Sequence, residues 1–221
     1  MTEARPETEL SDAAARLARQ ARLAEPHAAP LVPFVEGLRK RHPDRVVPWF
    51  DPADGGAHAR VLYLLEKPSR GSVMTEEGPV YVGLDNPTSG SRRMKALMAE
   101  AGVPREAMLI WNAVPWWNGT AKVTGEEVRA GADALDRLLA LMPRLRAVVL
   151  VGRKAERAWA LSGGAAVPVF VSAHPSANVR AAFPERWMAI PSVWAEAWRA
   201  VSASAEGQCA ASAAPPALPK T

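Results

Sequence analysis

Four short apolar runs constrain this chain more than any other feature. They are Arg60 to Glu66 (RVLYLLE), Met108 to Trp111, Ala147 to Val151 and Val167 to Ser172. Each has the length of a strand, and none alternates strictly between apolar and polar residues. Continuous apolar character is what a strand needs when both faces of its sheet are covered, as in parallel sheets. Helical patterns lie between the runs, at Ser91 to Ala101, Glu126 to Leu141 and Arg153 to Leu161. Thr124 suits the N-cap of the middle helix, and Glu127 completes a capping box three residues on. Strands alternating with helices predict an α/β fold. The expected form is a three-layer α/β/α sandwich around a central four-stranded parallel sheet, with right-handed crossovers.

The flanking segments read differently. Ser11 to Ala24 forms a helical pattern with Ser11 and Asp12 at its start, broken by Pro26 and Pro30, and a second short helix is expected from Val32 to Lys40. A final helix starts at Pro191 and carries Val193, Trp194, Ala197 and Trp198. From Ser202 onward the chain is rich in Ala, Ser and Pro, a composition that cannot bury a core. The expected organisation is a helical segment over 1–45 packed on the domain, the domain itself over 46–201, and a disordered tail over 202–221.

Composition removes several function classes. The one cysteine, Cys209, allows neither an internal disulfide nor a cysteine-ligated zinc or iron–sulfur site. The four histidines, His27, His42, His58 and His174, are scattered without metal-like spacing, so no metal or cofactor is expected. No apolar run is long enough to span a bilayer, and the N-terminal TEARPETELSD lacks the apolar stretch of a signal peptide. A cytoplasmic, monomeric protein without membrane contact is the expectation. The net charge of +4 suits a nucleic-acid partner without demanding one.

In parallel sheets ligands bind beyond the carboxyl ends of the strands. Polar residues collect there after three of the four runs. After the first come Glu66, Lys67, Pro68, Ser69 and Arg70, then a long loop through Tyr81, Asp85 and Asn86. After the second come Asn112 and Pro115-Trp116-Trp117-Asn118. After the fourth come His174-Pro175-Ser176, then Asn178 and Arg180.

These motifs together resemble the uracil-DNA glycosylase superfamily. His174-Pro175-Ser176 is similar to the family's second signature. LIWNAVPWWN resembles its strand ending in a base-reading Asn, and LVGRKAERAW its intervening strand–turn–helix. YLLEKPSRG stands where the family keeps its water-activating motif, with Pro68 matching the proline there. The resemblance runs over about Arg60 to Pro191. Each motif alone is short and prone to chance matches, but their joint order on four successive strands is more specific. The chain departs from the pattern in two ways. Lys67 and Ser69 stand where well-known members have Asp and an aromatic. Branches that carry Glu at the position of Glu66 also bind an iron–sulfur cluster through four cysteines, which this chain does not have.

The resemblance implies roles that chemistry supports. An amide at Asn112 offers one acceptor and two donors, matching uracil N3–H and O4 and mismatching cytosine. A donor at His174, aimed at uracil O2, would stabilise the negative charge that grows on the leaving base. Ser176 and Arg180 would clamp a DNA phosphate around an extruded nucleotide, with Asn178 where relatives carry a wedge. Tyr81 is a candidate to stack on the flipped base, Pro68 would line the uracil site, and Trp116 and Trp117 could line its rim. Lys67, Arg70, Arg92, Arg93 and Arg153 could track phosphates. The expected substrate is uracil-containing DNA, single- or double-stranded, with uracil as product.

For the water-activating group, Asp85 is preferred over Glu66. Asp85 precedes a Pro-Thr-Ser-Gly turn that would expose a short carboxylate, whereas Lys67 could pair with Glu66 and hold it away. Asn86, or water held by backbone alone, remains a further possibility. Two other functions stay open: a non-catalytic binder of uracil-containing, abasic or single-stranded DNA, and a hydrolase of small nucleosides.

Overall fold

A computed structural model describes residues 10–73 and 78–212, with side chains to residue 202. The chain opens with helices α1 (Ala13–Ala21) and α2 (Val32–Arg41), then strands β1 (Trp49–Phe50) and β2 (Val61–Leu65). A one-turn helix α3 (Arg70–Val73) and strand β3 (Tyr81–Val82) lead to helix α4 (Ser89–Glu100) and strand β4 (Met108–Asn112). There follow α5 (Gly125–Ala140), β5 (Ala147–Val151), α6 (Arg153–Leu161) and β6 (Val169–Ser172). The helices α7 (Ala177–Ala182), α8 (Pro184–Met188) and α9 (Ile190–Ser212) complete the described chain.

The four apolar runs form one parallel sheet in the order β4-β2-β5-β6. Successive side chains point to opposite faces, and here both faces are dry. Leu62 and Leu64 of β2, Leu109 and Trp111 of β4, and Val148 and Leu150 of β5 share one core with α2, α5 and α6. Val61 and Tyr63, Met108 and Ile110, and Val149 and Val151 share the other with α4 and α9. The result is the three-layer sandwich that the sequence predicts. The edge strand β6 differs from expectation, because only one of its faces is covered: Val169 and Val171 remain exposed, while Phe170 packs into the α4–α9 core.

Local signals place the helices. Asp12 caps α1 by accepting from the Ala15 backbone N–H, and Thr124 and Glu127 make the full capping box of α5. The 10–45 region docks through Leu10, Leu31, Phe34, Val35 and Leu38, all in the α5–α6 core. At the other end α9 continues past Ser202 to Ser212, and residues 213–221 lie outside those described. Among the described residues no helix is long and apolar enough to cross a membrane.

Candidate active site

Strand register brings the chemistry together. Leu65 pairs with Asn112 at the ends of β2 and β4, and Val151 with Ser172 at the ends of β5 and β6. The residues that follow these pairs face one cleft of about 440 Å³, lined by Pro68, Asn86, Arg93, Asn112, His174 and Ser176 among others. That volume suits a small-molecule or single-base site.

Asn112 is 4 % exposed, and its side-chain amide has no hydrogen-bond partner among the described residues although it lines the cleft. A buried amide normally finds a partner. An Asn that merely satisfied a local turn would be bonded to it, so this one is left open for a ligand.

His174 is held by the strand end behind it. Trp194 Nε1 donates to Ser172 Oγ at 3.0 Å, and the Ser172 hydroxyl donates to Ala173 O at 3.3 Å. Burial pushes the His174 pKa down, and Lys154 and Arg93 push the same way against the opposing charge of Glu66. The imidazole is therefore neutral at physiological pH, a hydrogen-bond donor without net charge. Gly152 makes room for this pair: its φ is +92°, and a Cβ there would lie 3.1 Å from Glu66 Oε1 and 3.2 Å from His174 Cβ. Only glycine takes that backbone conformation at little cost.

Ser176 caps α7, its Oγ accepting from the Val179 N–H at 3.2 Å, which leaves the hydroxyl proton to donate into the cleft. Asn178 and Arg180 follow on the exposed face of α7, and Arg180 lies over the Trp187 ring at 5.7 Å. Arg70 is exposed at the start of α3, and Arg92 and Arg153 are exposed as well. These cations stand at the surface and outside the cleft lining.

Several expectations are corrected. Asp85 does not reach the cleft. Its carboxylate is buried and takes ion pairs from Arg105 at 2.6 Å, Arg19 at 2.9 Å and Lys95 at 3.2 Å. Burial alone would raise its pKa, but Arg105 and the hydrogen bonds from Arg105, Arg19 and Lys95 hold it below the usual carboxylate range. Tyr81 is a core aromatic, 1 % exposed, with its hydroxyl donating to Arg16 O at 2.9 Å. It therefore has no face to offer a base.

Lys67 lines the cleft, but its ammonium is turned away from any phosphate. It donates to Asn118 Oδ1 at 2.7 Å, Glu127 Oε1 at 2.8 Å and Lys122 O at 3.1 Å, which uses all three of its protons. Lys67 thus ties the loop after β4 to the start of α5. It does not pair with Glu66, which instead meets Lys154 at 3.1 Å. Trp116 belongs to the same anchor: it is fully buried, its ring tilted at 40° against His42 and its Nε1 donating to Glu127.

Two cleft residues carry more than the sequence reading gave them. Asn86 is 8 % exposed and donates from Nδ2 to Tyr81 O at 2.8 Å. That bond fixes the amide and leaves its Oδ1 acceptor free in a residue that lines the cleft. Arg93 also lines the cleft, with Nε donating to Pro175 O at 3.0 Å. Asn86 carried a weak signal, its place beside Asp85. Arg93 was read only as one of five cations that could track phosphates, because its helical position does not mark it for the cleft.

No Asp or Glu lines the cleft among the described residues. No three His, Cys, Asp or Glu side chains gather to hold a metal ion among those residues either. Residues 52–200, more than half of the chain, match the family model described as the Uracil DNA glycosylase superfamily. No curated protein matches the chain.

Proposed function

This chain belongs to the uracil-DNA glycosylase superfamily, and on that premise we propose that it hydrolyses the N-glycosidic bond of deoxyuridine in DNA, releasing uracil and leaving an abasic site. The family as a class consists of DNA glycosylases acting on damaged bases. One observation carries the step to uracil: the unpartnered, buried amide of Asn112 shares a cleft with the neutral imidazole of His174.

In this reading the target nucleotide leaves the stack and enters the cleft. Asn112 pairs with uracil O4 and N3–H; cytosine presents an amino group and a bare nitrogen in their place and leaves the amide mismatched, which can cost ~10⁴-fold. The C1′–N1 bond breaks with its electron pair going to N1. His174 donates a hydrogen bond to O2 and stabilises the uracil anion as it forms. The sugar becomes an oxocarbenium-like cation, and water adds at C1′. The proton shed by that water balances the one taken up by the departing base.

The water is held by Asn86. Asp85 is committed to its ion pairs, and a strongly electrophilic cation needs an oriented water more than a strong base. Asn86 Oδ1 supplies an acceptor on a fixed amide. Phosphates flanking the site meet the Ser176 hydroxyl and the exposed Arg180 and Arg70. Every residue in this scheme comes from one chain, which supports reading the enzyme as a monomer.

That no carboxylate of the described residues lines the cleft favours a second reading, a binder of uracil-containing or abasic DNA without turnover. Purified protein incubated in chelator with a uracil-containing single-stranded oligonucleotide, then treated with alkali, distinguishes the two. Strand cleavage at uracil is the expected result. Tight binding without abasic sites would establish the binder. Within an active enzyme, Asn86→Ala should slow excision by about 10²-fold; if it is near wild type while Glu66→Gln is dead, the water belongs to Glu66.

A further inference from the structure

We propose that Arg93 is a second electrostatic catalyst of the same reaction, its guanidinium stabilising the negative charge that develops on the departing base beside His174. The proposal rests on the glycosylase reading above and adds to it a group outside the motifs that carry the resemblance.

Three observations lead to it. Among the described residues Arg93 and Lys67 are the two Lys or Arg side chains that line the cleft, and Lys67 is neutralised by Glu127. Among the described residues Arg93 has no carboxylate partner, and none of their carboxylates lines the cleft to compensate it. A half-buried cation facing an otherwise uncharged pocket is costly unless a ligand brings the opposite charge.

Its position is also fixed. Nε donates to the carbonyl of Pro175, the residue directly after His174. The two Nη nitrogens have no partner among the described residues. A guanidinium is a rigid planar fork, so the anchored Nε sets the direction of the rest. The charge is close enough to lower the His174 pKa. A cation whose field reaches the imidazole also reaches a base hydrogen-bonded to that imidazole.

Three charged groups surround His174: Glu66 at the end of β2, Lys154 on α6 and Arg93 on α4. Glu66 and Lys154 pair with each other and largely cancel. Arg93 supplies the uncompensated charge. This explains how a neutral imidazole can serve: it orients the leaving oxygen, while Arg93 carries the countercharge.

The test compares leaving groups. Wild-type and Arg93→Met proteins are assayed at saturating DNA on uracil and on 5-fluorouracil, whose N1 is more acidic and needs less help to leave. For uracil, kcat should fall by about 10²-fold; for 5-fluorouracil the loss should be about 10-fold or less. KM and the salt dependence of binding should barely change. Arg93→Lys keeps the charge and guards against misfolding of the first variant; it should retain kcat within about tenfold of wild type.

Independently of turnover, the His174 pKa read by NMR should rise in Arg93→Met, since one of its two neighbouring cations is gone. An equal loss on both bases, or an effect confined to KM and the salt slope, would make Arg93 a phosphate clamp and overturn the proposal. An unchanged kcat or an unchanged His174 pKa would overturn it too. If the wild-type protein releases no uracil at all, the glycosylase reading has failed and this inference falls with it.

Discussion

Two regions of this molecule bury polar side chains, and they treat them in opposite ways. Between α1, the loop after β1 and the segment before β4, Asp51 and Asp85 are ringed by Arg19, Arg105 and Lys95. Both oxygens of each carboxylate are engaged there. At the carboxyl ends of the strands, the Asn112 amide, the Asn86 Oδ1 and the Arg93 Nη groups have no protein partner among the described residues. Burial by itself therefore does not mark a functional group, since Asp85 is more completely buried than Asn112. Saturation separates the two regions. Where the chain satisfies its own polar groups it secures its tertiary structure; where it leaves them open it keeps room for a ligand.

The sharpest way to break this contrast is to remove Arg105, which touches Asp51, Asp54 and Asp85. Arg105→Met removes the ion-pair partner of buried Asp54 and leaves Asp51 with Arg19 and Asp85 with Arg19 and Lys95; it should cost about 3–5 kcal/mol of stability, the usual penalty for half a buried ion pair. Urea denaturation measures it, and the fraction that stays folded should excise uracil at close to the normal rate. If activity is lost from a protein of unchanged stability, the cluster belongs to the catalytic machinery after all.

The cleft should respond in the reverse manner. Asn112→Ala and His174→Ala should each slow excision by ~10²–10³-fold while unfolding at the same urea concentration as wild type or higher, because among the described residues neither side chain has a hydrogen-bond partner to lose. A large drop in stability with modest kinetic change would place them with the saturated groups.

Surface cations should show a smaller effect, read in the salt dependence of DNA binding. Arg180→Ala should reduce the slope of log K against log salt by about 1, the loss of one phosphate contact. Lys67→Met should leave that slope unchanged, since its ammonium is spent on Glu127 and Asn118, although the protein should unfold more easily. An equal change in slope for both variants would mean that Lys67 swings out to meet DNA.

The smallest effect concerns Asp54, which among the described residues leaves one carboxylate oxygen without a partner. Burial lifts its pKa to about 7 from an ordinary 3.8, with Arg105 opposing the shift and Asp51 and Asp85 adding to it. A carboxyl that holds its proton better when folded contributes stability below its unfolded pKa. That contribution drains away as pH rises through about 7. Asp85 has the opposite sign: its stabilisation is present above its unfolded pKa and is lost in acid. Asp54→Asn should therefore flatten the fall in stability between about pH 4 and 7 and leave the acid limb in place, as thermal melts across that range would reveal.

The strands, most of the helices and the capping box at Thr124 were legible because their causes are local. Apolar runs, periodicity and a cap four residues long can all be read along the chain. Asn112, His174, Pro68 and Ser176 were legible for a related reason: they follow directly on apolar runs, and in a parallel sheet the strand ends converge. The fate of Asp85 was not legible. Its partners Arg19 and Arg105 lie 66 and 20 residues away, and nothing beside Asp85 announces them. Tyr81 was misjudged for the same cause, since its hydroxyl partner is Arg16 O, 65 residues back.

From its sequence alone, this protein is committed to a parallel α/β sheet with an amide, an imidazole and a hydroxyl at its strand ends, since periodicity and strand polarity act over a few residues. Only the tertiary structure decided which polar groups are consumed. It assigned Lys67 to Glu127, Asp85 to Arg105 and Arg19, and Arg93 to the cleft. Ion pairing depends on distance in space, and that distance does not exist until the layers have packed.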